Sequence, residues 1–174
     1  MKFKYRQNLP AFSLLEIIVV LMIISVGLLG VLNLMVSSSR AQNSNRETLI
    51  AYNLAQEALE LVRNVRDTNW REGAAWNLNI TGSPSGEKYK VDFRHFQPVP
   101  INNIKEATLQ MSSSSNQWFY IHDASSSDSI FRRMITITAD DASSSSSTVS
   151  CLVEWNDRGD TRRFELQTEL YDWR

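Results

Sequence analysis

One carboxylate, Glu16, stands inside an otherwise uncharged apolar run, FSLLEIIVVLMIISVGLLGVLNLMV, from Phe12 to Val36. An ionisable side chain there costs about 2.5–3.5 kcal/mol at mid-membrane, less toward the edge, so it marks a functional position in need of a partner. Elsewhere the reactive residue types do not group. His95 and His122 stand alone, with no HExxH pattern around either. Cys151 is the single cysteine, so no intrachain disulfide forms, and its alternation with apolar neighbours reads as a small core residue. Asp123, Asp128, Asp140 and Asp141 lie near serine-rich stretches at Ser112–Ser115, Ser125–Ser127 and Ser143–Ser147. Oxygen-rich loops can bind Ca²⁺, but the spaced D-x-D-x-D-G pattern is absent, and no metal site or cofactor is expected. The serine stretches read as solvated loops between strands, with O-glycosylation or adhesive contact as the sharper alternative. No nucleophile motif surrounds a histidine and no glycine-rich phosphate loop follows a strand, so the chain is not expected to be an enzyme.

The elements that position Glu16 come next. The run from Phe12 to Val36 is about long enough to cross a ~30 Å hydrocarbon core at ~1.5 Å per residue. Before it, MKFKYRQNLPA carries Lys2, Lys4 and Arg6 and no acid, which keeps the N-terminus in the cytoplasm and sends everything after Val36 to the far side. A secretory signal has a shorter apolar core and a small-residue cleavage site after it, neither of which is present here. A plain single-pass anchor fits the length but gives no reason for Glu16. Apolar periodicity then continues through Ile50, Leu54, Ala58, Leu59, Val62 and Val65, with Glu57, Arg63 and Arg66 turned away. No proline interrupts the chain from Phe12 to Ser83, and one helix is predicted from about Phe12 to about Arg66, a rod on the order of 80 Å long. Gly27 and Gly30 lie in its apolar half, either as tolerated membrane glycines or as a place where the helix can extend on packing.

The residues Ala11-Phe12-Ser13-Leu14-Leu15-Glu16, after a short basic leader, resemble the processing motif of type IV prepilins and type II secretion pseudopilins. The resemblance implies cleavage between Ala11 and Phe12 by a membrane peptidase, N-methylation of the new terminus at Phe12, and Glu16 as the fifth mature residue. It also implies that Glu16 meets the Phe12 amine of an adjacent subunit in a filament, in an assembly salt bridge. The departure is Ala11, where the family usually has glycine, a substitution that could slow processing. Pro10 keeps the leader extended. The implied partners are other pilin or pseudopilin subunits, the prepilin peptidase and an inner-membrane assembly platform. Loss of the leader removes three of the 18 Lys and Arg, so 19 acidic side chains outweigh the rest, a balance that argues against nucleic acid as a partner. A local basic patch at Arg132, Arg133, Arg158, Arg162 and Arg163 stays open.

Beyond Trp70 the period changes to alternation. Tyr89, Val91 and Phe93 alternate with Lys88, Lys90, Asp92 and Arg94. Ile135 and Ile137 form one face of a strand, Val149, Cys151, Val153 and Trp155 one face of another, and Phe164, Leu166 and Leu170 one face of the last. Asn156 to Asp160 contains a hairpin turn, and a weaker strand covers Trp118 to Ile121. The predicted fold class is α+β, a long N-terminal helix packed on an antiparallel sheet head. The expected organisation is leader 1–11, membrane-spanning assembly half 12–36, head-packing half 37–66 and sheet domain 67–174. The strand pairing and the ending Tyr171-Asp172-Trp173 resemble minor pilins of the PilV-like branch. Two functions are expected: a filament subunit of a pilus, competence fibre or secretion pseudopilus, or an anchored extracytoplasmic binding module that never polymerises.

Overall fold

The computed structural model describes residues 13–94, 97–114, 117–122, 127–139, 141 and 145–173. The leader through Ala11 and the expected new terminus Phe12 lie outside the described residues, as do His95, Asp123 and Asp140. The proline-free stretch forms a single helix, α1 (Leu14–Glu72). It runs past the expected end at Arg66, because Asn69 and Trp70 continue the buried stripe one more turn. Gly73, at φ 72°, ends it. Gly73 N–H donates to Trp70 O (3.2 Å) and Ala74 N–H to Asn69 O (2.9 Å), the paired bonds of a Schellman cap, which needs a left-handed residue just after the helix. The buried Asn69 amide then ties the following turn back to the helix, donating to Trp76 O (3.0 Å) and Leu78 O (2.8 Å).

The chain divides into two compact units after Ser44. In the second, a helical stripe from Ala51 through Leu54, Ala58, Leu59 and Val62 to Trp70 is buried against an antiparallel sheet. Ala51, Ala55 and Ala58 on this stripe are fully buried. Among the described residues the sheet has seven strands: β1 (Glu87–Lys90), β2 (Val99–Pro100), β3 (Thr108–Ser114), β4 (Gln117–Ile121), β5 (Ser127–Thr138), β6 (Ser146–Asp157) and β7 (Asp160–Tyr171). β5 is the organising strand. It pairs with β6 along Phe131–Thr138, with β1 at Ile135–Ile137, and with β3 nearer its start. β7 follows β6 over its whole length through the two-residue turn Arg158–Gly159. Both turn residues have positive φ, 58° and 99°, matching the strand twist, and Asn156 Oδ1 accepts from Gly159 N–H (2.8 Å). The expected inner faces are present: Val149, Cys151, Val153 and Trp155 are buried, and Phe164, Leu166 and Leu170 point to the same core.

Three expectations are corrected. The serine stretches do not simply fall between strands: Ser112–Ser114 belong to β3, Ser127 to β5, and Ser146 and Ser147 to β6. Their cross-strand partners explain this, since Ser112 faces Phe119, Ser113 faces Trp118 and Ser147 faces Leu170, and large partners make a sheet site of a small neutral residue. The strand expected over Tyr89–Phe93 stops at Lys90. Asp92 is buried instead, its carboxylate accepting from Arg94 N–H (2.9 Å) and His122 N–H (3.1 Å), bonds that compete with the ladder. Arg133 lies in the core, 1% exposed. Its guanidinium donates to Leu54 O (3.1 Å) on α1 and Val91 O (2.7 Å) beyond β1, and pairs with Glu57 (3.2 Å). Glu57 is thus half-buried rather than turned away, and Arg63 donates to Thr168 on β7 (2.9 Å).

Arg133 therefore joins helix, β5 and the β1 exit, and its removal strands two carbonyls and a carboxylate. Arg133→Met is expected to lower the unfolding free energy of the detergent-solubilised chain by about 3–5 kcal/mol. Urea titration followed by tryptophan fluorescence measures this, and a loss below about 1 kcal/mol contradicts the bridging role.

Candidate functional site

The first helical unit presents an apolar surface with no cover. Large side chains from Leu14 to Val36 are 46–76% exposed, and α1 is long and apolar enough here to cross a membrane. Burying each such side chain is worth about 1.5–3 kcal/mol. Ser25 keeps its hydroxyl inside the helix by donating to Leu21 O (2.7 Å), which removes a polar cost from the apolar surface. A Cβ placed on Gly27 or Gly30 meets nothing within 4 Å, so nothing in this chain's own packing requires glycine there.

Glu16 sits in the first turn of α1, at the third helical position, and Ser13 O accepts from Ile17 N–H (3.2 Å). Ser13-Leu14-Leu15-Glu16 is a capping-box pattern, which the sequence reading passed over although the S-x-x-E spacing signals it. Yet among the described residues Glu16 makes no ion pair or side-chain hydrogen bond, and its side chain is exposed. The helix N-terminus favours its charge by about 0.3–1 kcal/mol, and that is the local support the carboxylate has.

The other candidate groups are tied into the head. His122 Nδ1 is 3.2 Å from Thr108 O, the geometry of a neutral imidazole donating to a carbonyl, and its Nε2 is buried. Burial, then the nearby Arg133 charge, holds its pKa down at about 4. Burial pushes the Cys151 thiol up to about 12, so it stays protonated and packs as an apolar group. Asp128 accepts from Gln110 Nε2 (2.9 Å), and no cluster of three His, Cys, Asp or Glu suited to a metal occurs among the described residues. The late arginines do not form a free basic patch. Arg132 and Arg163 flank Glu154 at 3.3 and 3.0 Å, and Arg158 and Arg162 both lie 3.8 Å from Asp157. The largest cavity described, about 630 Å³, lies at the end of α1 and is lined by Asn64, Thr68, Arg71, Leu78, Asn79 and Gln97 among others.

No family model, no curated protein and no solved structure matches this chain.

His122 makes the fold acid-sensitive. Its folded pKa of about 4 lies below the ordinary 6.5, so the unfolded chain binds the proton first as pH falls. The stability it contributes is full above about pH 6.5, declines between 6.5 and 4, and is lost by about 3 kcal/mol in all. Urea midpoints at pH 7 and 4.5 should show the wild type losing about 2–3 kcal/mol more than His122→Gln. Equal losses in the two proteins contradict the assignment.

Proposed function

We propose that this chain is a structural subunit of a type IV pilus-like filament, a minor pilin or pseudopilin, assembled through its N-terminal helix. The observation that carries this is Glu16, the one carboxylate in the exposed apolar run up to Val36 and without a partner among the described residues. Two features support it: the resemblance of residues 11–16 to a prepilin motif, and a pilin-like architecture of one long N-terminal helix on an antiparallel sheet. The basic leader holds the N-terminus in the cytoplasm until a prepilin peptidase cuts between Ala11 and Phe12. Cleavage creates an amine at Phe12, and methylation leaves it charged.

Glu16 follows Phe12 by four residues, one helical turn. In a stack of such helices its carboxylate meets the Phe12 amine of the next subunit. Their attraction is strong in a low dielectric, but desolvation offsets much of it. The pair therefore sets register more than it adds stability, because a shifted neighbour leaves both charges buried and alone. Head-to-tail contacts of this kind continue into an open helical filament. The head projects on the far side of the membrane, and the assembly platform lies in the inner membrane.

Glu16→Ala is expected to insert into the membrane normally and to lose incorporation into filaments about a hundredfold, the effect of removing one partner of a buried pair worth about 3 kcal/mol. Normal incorporation of that variant identifies the chain as an anchored head instead. N-terminal sequencing of the mature protein should give a start at Phe12, and an uncut Met1 contradicts the proposal. Ala11→Gly should give the same start with faster precursor loss in a pulse-chase.

A further inference from the structure

We infer that Asn79 is an acceptor site for an N-linked glycan, delivered from a polyprenyl-diphosphate donor on the side of the membrane where the head lies. That placement rests on the filament reading above, since nucleotide sugars stay in the cytoplasm while lipid-linked glycans cross the membrane. Of all the asparagines in the chain, only Asn79 has a hydroxyl residue two positions on, in Asn79-Ile80-Thr81. An amide nitrogen is a weak nucleophile. A transferase acts on it by holding the neighbouring hydroxyl while turning the asparagine into its active site, so both side chains must be free and exposed.

The turn after α1 presents them in that way. Asn79 has φ 65°, a left-handed conformation that asparagine tolerates better than most residues. The bend drives Ile80 into the core at 1% exposure and leaves Asn79 and Thr81 exposed on either side of it. The main chain is pinned while the two side chains are not. Leu78 O accepts from Asn69 Nδ2 (2.8 Å) and Thr81 O accepts from Tyr89 Oη–H (2.9 Å). Among the described residues neither the Asn79 amide nor the Thr81 hydroxyl makes a hydrogen bond. Other asparagines are occupied: Asn69 is buried and donates twice, Asn103 caps Lys105 N–H (3.0 Å), and Asn156 caps Gly159 N–H (2.8 Å). Asn79 also borders the 630 Å³ cavity, where Asn64, Thr68, Arg71 and Gln97 offer donors and acceptors to the hydroxyls of the first sugars.

In the transfer step, Asn79 Nδ2 forms a C–N bond to the anomeric carbon as the C–O bond to the diphosphate breaks. The electron pair leaves on the polyprenyl diphosphate, and the amide proton passes to a base on the transferase. No redox partner is involved.

Mass spectrometry of the full chain, purified from the membranes of its own cells, tests the site. Trypsin releases the peptide from Glu72 to Lys88, which contains Asn79. It should carry one or more hexose or N-acetylhexosamine increments. Asn79→Gln and Thr81→Ala should lose the increment, whereas Thr81→Ser, which keeps the hydroxyl, should retain it. An increment that survives Thr81→Ala overturns the inference. So does an unmodified peptide from a chain that starts at Phe12, which leaves the filament reading standing. An unmodified peptide from a chain that starts at Met1 overturns both.

Discussion

A helix can hide only the surface that its surroundings cover, and α1 is covered along one stripe from Ala51 to Trp70 and exposed throughout Leu14–Val36. The covered stripe determines the head. Ala51, Ala55 and Ala58 are fully buried along it, and Leu54, Leu59 and Val62 share one core with buried residues of β5 and β6. Polar groups inside such a core are cut off from water and depend on protein partners. Arg133 is the consequence. Placed on the inner face of β5, it has two carbonyls and the Glu57 carboxylate within reach, one carbonyl from the helix and one from the β1 exit.

The same burial explains which parts of the fold were legible in the residues and which were not. Alternation worked where one face of a strand meets the helix and the other meets solvent, as in Phe164, Leu166 and Leu170 of β7. The Arg158–Gly159 turn was legible because positive φ at two successive positions narrows the choice of residues. Alternation failed where polar residues are buried for reasons that only a third element supplies. Arg133 and Asp92 carry charge and look like surface positions until the partners arrive, and apart from Glu57 those partners are backbone groups, which leave no mark in a sequence. The serine stretches failed in the opposite sense. Their own propensity is weak, and Phe119, Trp118 and Leu170 across the ladder decide their state. The helix end at Glu72 was hidden because Asp67, Thr68 and Asn69 are poor helix formers, yet Asn69 gains two buried hydrogen bonds there and Gly73 offers the cap. At the candidate site, Glu16 was visible from composition alone, while its place in a capping pattern with Ser13 was overlooked.

Charge is handled differently in the two halves of the chain. In the head, acids and bases are matched locally: Glu57 with Arg133, Glu154 between Arg132 and Arg163, and Asp157 beside Arg158 and Arg162. Only in the first of these is the arginine buried. The others are partly exposed arginine pairs of the kind worth about 0–1 kcal/mol, so they neutralise the outer face more than they hold it together.

Glu16 has no equivalent arrangement among the described residues, and the magnitudes say what that implies. The helix N-terminus offsets about 0.3–1 kcal/mol, against about 2.5–3.5 kcal/mol for a carboxylate at the centre of a membrane-inserted helix. Proximity to the membrane edge narrows this gap without giving the carboxylate a reason to be there, since an alanine or leucine at the same position inserts without the cost. A capping role with Ser13 is served equally by glutamine, which carries no charge. What distinguishes glutamate from glutamine at this position is attraction to a cation, and the proposed cleavage generates one at Phe12, four residues earlier in the sequence. A second helix shifted along the first can bring its own amine to this carboxylate and fix the shift. On the filament reading proposed above, Glu16 is a register mark whose partner lies on another subunit.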